Sequence, residues 1–247
     1  MRVWGTIATL VTVLAWNGIW QAPAAQVLPE ADISAAFDQA AFGPGSRDDA
    51  RVYRWRGPVR VRHIGPAAPR HLAWVRDQIA ELSELTGLDI EETAGIDSDL
   101  SVVFVPTFQS VLDGDYNELL DQFTATTERR DALLEGFRRT EAVCAGQITA
   151  QGNELESGIV FIPRDQLSPV IHSCISAQLA RMMGLPFALP PEAPSVLAAY
   201  SPHSHLTGLD RTLLRLLYHP RMTAGTPRDD AMTITRSVMT SLRSAGD

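Results

Sequence analysis

Residues 168–186 constrain this chain more than any other stretch. Ser168 and Pro169 supply a helix start, with the hydroxyl as N-cap and the ring at the first helical position. Gly184, followed by Leu185 and Pro186, supplies the stop. Between them Ile171, Cys174, Ile175, Gln178, Leu179 and Met182 fall on one side of a helical turn. The spacing predicts a central helix from Pro169 to Met183 and turns the Gln178 side chain partly toward the core.

The rest of the chain supplies elements to pack around that helix. Residues 31–41 suit a short helix, ended by Gly43-Pro44-Gly45-Ser46. Residues 52–55 and 59–64 alternate apolar with polar, the pattern of a half-exposed strand bent at Gly57-Pro58. Pro69 starts a helix whose stripe is Leu72, Val75, Ile79 and Leu82, and Gly87 ends it. Residues 100–105 are β-branched and apolar up to Pro106 and read as a central strand. Residues 116–139 read as a solvated helix, and 144–149 and 158–162 as short strands beside a turn at Gln151-Gly152-Asn153. Residues 186–206 read as a surface loop. Thr207 to Asp210 opens a helix ending at Tyr218, and Thr226 to Asp229 opens the last, with Met232, Val238, Met239 and Leu242 as its stripe. Strands alternate with helices first and helices dominate the end, which predicts an α+β fold, a small mixed β-sheet with packed helices.

Composition narrows the setting. Met1-Arg2, a mostly apolar run to Ile19 and Ala22-Pro23-Ala24 read as an export signal over residues 1–24. Asn17, Gly18 and three Thr make the run a poor membrane anchor. Residues 25–50 then read as a peripheral N-terminal arm and 51–247 as a single globular domain. A formal net charge of -8 disfavours nucleic acid and anionic lipid as partners. Every basic residue is Arg, so neither a Lys Schiff base nor a Ser-Lys dyad can form within the chain. Cys144 and Cys174 are the only cysteines, and in an exported chain two cysteines read as one disulfide.

Residues 177–187 also resemble a known catalytic frame. The metzincin motif places two His at i and i+4 of a helix, a Glu beside the first, then a Gly and a third His. Gly184 and Leu185-Pro186 stand where that frame needs them, but Ala177, Gln178, Arg181 and Phe187 occupy the His, Glu, His and His positions. None is a zinc ligand, so the resemblance implies a metzincin-like (zincin-type) architecture without its metal. Arg181 has two readings, a buried pair with an acid in the space of the lost metal, or a side chain lying along the helix surface.

Longer stretches carry a second resemblance. They are Trp55-Arg56-Gly57-Pro58-Val59-Arg60-Val61, Leu82 with Leu85-Thr86-Gly87-Leu88, Gly184-Leu185-Pro186, and the run from Leu206 through Leu209-Asp210-Arg211 to Tyr218 and Pro220-Arg221. In order and spacing they are similar to an uncharacterised family of bacterial exported proteins, the domain of unknown function DUF2927, over about residues 50–225. The resemblance brings no established activity. Family members usually carry Glu-Glu where Ala177 and Gln178 stand, Gln at Arg181, and Asn-Asp at Phe187-Ala188.

Other chemistry is thinly supported. His203 and His205 lack a third ligand at motif spacing, although Asp210 or His172 could join them. Glu91-Glu92, Glu154 with Glu156, and Asp229-Asp230 sit in turns or first helical turns. No Gly-x-Ser-x-Gly elbow, phosphate loop or dinucleotide fingerprint is present, so no catalytic residue and no cofactor is expected. The sequence thus reads as a periplasmic or secreted, non-catalytic pseudo-metallopeptidase module that binds a peptide or envelope protein. The alternative is a hydrolase with relocated catalytic groups.

Overall fold

The computed structural model describes residues 29–45, 49–140 and 142–244. The expected export signal at residues 1–24 lies outside them. Five strands, β1 (Val59–Ile64), β2 (Ile90–Glu92), β3 (Leu100–Val105), β4 (Ala145–Gln151) and β5 (Glu154–Pro163), form one sheet of order β2-β1-β3-β5-β4. All neighbours run parallel except β4, which is antiparallel to β5 and forms one edge. Eight helices accompany it among the described residues, and they fall between the strands in the chain, so the architecture is mixed α/β. These are α1 (Glu30–Phe42), α2 (Pro69–Thr86), α3 (Phe108–Leu112), α4 (Asn117–Leu120), α5 (Thr127–Arg139), α6 (Ser168–Met182), α7 (Gly208–Leu217) and α8 (Arg228–Ser244).

All six residues of β3 are buried because the sheet is covered on both faces. The strand period of two divides its side chains: Val102 and Phe104 join the larger core, Val103 and Val105 the smaller. β5 does the same, with Val160 and Ile162 on one side and Ile159 and Phe161 on the other. The larger core takes in α1, α2, α6 and α7, and the smaller takes in residues of α3, α4 and α5.

Several sequence expectations meet a different local outcome. Residues 52–55 do not extend β1 and make only isolated bridges, at Arg51 and Arg54. The single helix expected over 116–139 is two, α4 and α5, because Thr126 caps a new start by accepting from the Arg129 amide. Ser168 makes no cap; Leu167 holds that position without a side-chain bond. Residues 186–206 form a loop, but one that buries Leu189, Ser195, Val196, Leu197 and Leu206. The arm expected over 25–50 contains α1, whose Phe37 and Ala40 are wholly buried in the larger core.

Cys144, just before β4, and Cys174 in α6 lie with Cα atoms 6.0 Å apart, within bridging range, and form a disulfide. The pair ties the sheet edge to the central helix across 30 residues of chain. Replacing both by Ser is expected to lower the unfolding free energy by roughly 3 kcal/mol, the chain-entropy value for a loop of that size. Chemical denaturation of wild type and double variant is the measurement, and coincident midpoints would remove the cross-link from the account of stability.

Candidate functional site

The site begins with how α6 ends. A helix leaves its last carbonyls without intrahelical donors. Here Trp55 Nε1 donates to the Met182 carbonyl at 2.8 Å, and the Tyr218 hydroxyl donates to that of Met183 at 2.9 Å. The same hydroxyl accepts the Trp55 amide at 3.2 Å. Burial raises the Tyr218 hydroxyl well above the ordinary tyrosine pKa, so it stays a donor. Arg54 lies 4.4 Å above the Tyr218 ring and donates to the carbonyls of Leu217 and Met222, closing the end of α7. Gly184 follows with φ of 109°, and a Cβ there would overlap the Tyr53 carbonyl.

On this frame the degenerate motif positions separate. Ala177 and Gln178 are buried. Gln178 Nε2 donates to the Cys144 carbonyl at 3.2 Å, so this side chain straps α6 to the residue just before β4, beside the disulfide. Arg181 is partly buried, and its Nη2 donates to the Leu197 carbonyl at 3.3 Å. Burial lowers its pKa and the Asp210 carboxylate pulls it back up. Arg181 and Asp210 make no direct ion pair, so neither expected reading of Arg181 describes it fully. One guanidinium nitrogen is taken by a backbone acceptor, and Asp210 acts on the charge from beyond ion-pair distance. These residues do not fit zinc: a methyl group, a carboxamide, a guanidinium and, at Phe187, an aromatic ring supply neither an anionic nor an imidazole ligand.

Asp210 is fully buried. It accepts from the Ser195 hydroxyl, the Val196 amide at 2.9 Å, and the Thr207 amide and hydroxyl at 2.8 Å each. Four donors hold the loop before α7 in place. Fully buried and turned to these donors, Asp210 does not join His203 and His205 in a metal-holding group among the described residues.

Arg181, Gly184 and Phe187 line one partly open cavity of about 490 Å³. Phe42 of α1 and Ile148 and Ala150 of β4 form other parts of its wall. The Phe187 amide donates to the Ala40 carbonyl at 3.2 Å, and its ring lies against Gly43, so α1 supports one side. β4 borders the cavity, and its outer edge pairs with no strand among the described residues.

The histidines assemble elsewhere. His71 stacks on Trp74 at 5.2 Å, Trp74 on His172 at 4.3 Å, and His172 meets His205 at 4.1 Å, a column crossing α2, α6 and the loop before α7. Among the described residues no three of His, Cys, Asp or Glu converge on a metal-holding arrangement. The paired carboxylates stay apart from the cavity, with Glu92 on His63 at 3.1 Å and Glu154 on Arg56 at 2.9 Å. Sequence reasoning assigned no role to Trp55, Tyr218 or Ser195. The available signal was that Trp55 and Tyr218 both stand in the stretches that carry the family resemblance.

A family model described as a protein of unknown function, DUF2927, matches residues 30–237. Neither the curated proteins nor the solved structures contain a match to the chain.

Two outcomes follow from this geometry. Gly184→Ala is expected to cost about 3 kcal/mol, since left-handed strain adds to the clash with Tyr53. Gly87→Ala, also at positive φ (68°) but with nothing within 4 Å of the new methyl, is expected to cost about 1 kcal/mol. Equal losses in thermal denaturation would show that the close approach at Gly184 contributes nothing. His71 and His172 are both held below the ordinary 6.5, chiefly by burial. Below 6.5 the unfolded chain therefore binds more protons than the folded one, and stability falls as pH falls through that window. Replacing both by Gln is expected to flatten melting temperature against pH between about 7 and 5; an unchanged slope would clear these two groups of any part in it.

Proposed function

This chain belongs to the DUF2927 family of proteins of unknown function, and we propose that it is an extracytoplasmic, non-catalytic module with a metzincin-like cleft that binds a peptide. The observation that carries this reading is the cavity at the end of α6, where Arg181, Gly184 and Phe187 meet the free edge strand β4. An extended peptide adds to such an edge through main-chain hydrogen bonds, and side-chain pockets beside the edge supply selectivity. Gln147 Nε2 already donates to the Ile148 carbonyl at 2.7 Å, covering one edge acceptor that an arriving N–H would take over.

Two further features support the setting and the loss of chemistry. The Cys144–Cys174 pair suits an oxidising compartment, and no helix among the described residues is long and apolar enough to cross a membrane. At the motif, Gln178 is committed to the Cys144 carbonyl and Arg181 stands in a ligand position as a cation. Both residues serve packing and charge where the metzincin frame would place a base and a metal.

Hydrogen exchange of the mature domain with a tryptic digest of casein tests the reading. Slowed exchange in β4 and at residues 181–187 is expected, with zinc far below one equivalent by elemental analysis. Stoichiometric zinc together with chelator-sensitive cleavage of the digest would instead establish a hydrolase with relocated catalytic groups. Unchanged exchange in β4 would remove the edge from the binding surface.

A further inference from the structure

Arg181 is one of the residues that line the cavity. A guanidinium carries five N–H donors, and among the described residues Arg181 makes one hydrogen bond, to the Leu197 carbonyl. The acid that influences it most, Asp210, already accepts from Ser195, Val196 and Thr207. Partial burial removes water from Arg181 without supplying an anion, an arrangement that favours a negatively charged guest over an empty site. Arg51 adds a second cation to the wall and Asp49 a single acid, so positive groups outnumber negative ones there. Much of the remaining wall is apolar, with Phe42, Ile148, Leu155 and Phe187. A volume of about 490 Å³ lies within the range that small-ligand sites occupy.

We infer that this cavity captures the C-terminus of a peptide: Arg181 pairs with the terminal carboxylate, and the last side chain, apolar, fills the space between Ile148, Leu155 and Phe187. The inference rests on the peptide-binding reading of the cleft and names its ligand. Carboxylate and guanidinium match in a two-pronged geometry, which gives direction as well as attraction. An internal peptide segment or a terminal amide brings no charge and leaves Arg181 unpaired. Ile148 and Ala150 of β4 line the same cavity, and the outer edge of β4 pairs with no strand among the described residues, so the preceding residues of the peptide add to that edge and the pocket sets their register.

The test uses the mature domain with N-acetyl-Ala-Ala-Leu as the free acid and as the carboxamide, measured by titration calorimetry. The acid is expected to bind about tenfold or more tightly than the amide, the size of a lost charge-assisted bond. Arg181→Gln is expected to erase that difference. Ala150→Trp, at an exposed wall position with Arg181 intact, is expected to abolish binding of both peptides and needs no change at the buried cation. Equal affinity for acid and amide, both blocked by Ala150→Trp, would overturn the carboxylate pocket and leave peptide binding at the cleft standing. Binding of neither peptide would also overturn it, while protection of β4 by the casein digest still judges the cleft independently. Octanoate bound more tightly than the tripeptide acid, and blocked by Ala150→Trp, would overturn the peptide as the source of the carboxylate.

Discussion

The closing of α6 is the constraint on which the rest of this structure depends. Its last carbonyls are satisfied by two side chains from distant segments, Trp55 before β1 and Tyr218 after α7. The two bond each other through the Trp55 amide and the Tyr218 hydroxyl, so one small network fixes three parts of the chain. Gly184 can turn sharply there because it has no Cβ to meet Tyr53. Without that close approach, the segment leading into β1 and the loop leading to Phe187 would not share one end of the helix. The cavity exists because they do.

Charge is handled differently at the two ends of that loop. Asp210 is buried and fully satisfied, and its role is to hold Ser195, Val196 and Thr207 around the start of α7. Arg181 is less buried and satisfied only once. The pair influence each other electrostatically without touching. One charge therefore organises the loop before α7, and the other is held by a single backbone acceptor among the described residues. The surface ion pairs, such as Arg56 with Glu154, contribute little by comparison because water screens them.

The elements best marked in the sequence were those with local punctuation. Pro69 and Gly87 bounded α2, Thr207 and Asp210 formed the capping box of α7, and Ser168-Pro169 with Gly184 framed α6 to within a residue. The pairing of Cys144 with Cys174 was legible because only two cysteines are present. Less legible was any feature made by groups far apart in the chain. Residues 116–139 gave an unbroken polar helical pattern, yet Leu120, Leu134 and Phe137 turn into the smaller core from two separate helices. The loop at 186–206 looked solvated by composition, and burial of Ser195 within it needs an acceptor 15 residues later, at Asp210.

The sequence by itself determined where α2, α6 and α7 begin and end, and that Ala177, Gln178, Arg181 and Phe187 supply no zinc ligand. Both follow from local chemistry: propensity and capping act over a single turn, and ligand identity is written in the residue itself. Only the tertiary structure decided that Gln178 bonds the Cys144 carbonyl just before β4, that Arg181 donates to the Leu197 carbonyl, and that residues of α1 and β4 share a cavity wall with it. These are meetings between segments 16 or more residues apart. They are settled by burial of apolar surface in two cores and by satisfaction of the last carbonyls of α6, which no local pattern encodes.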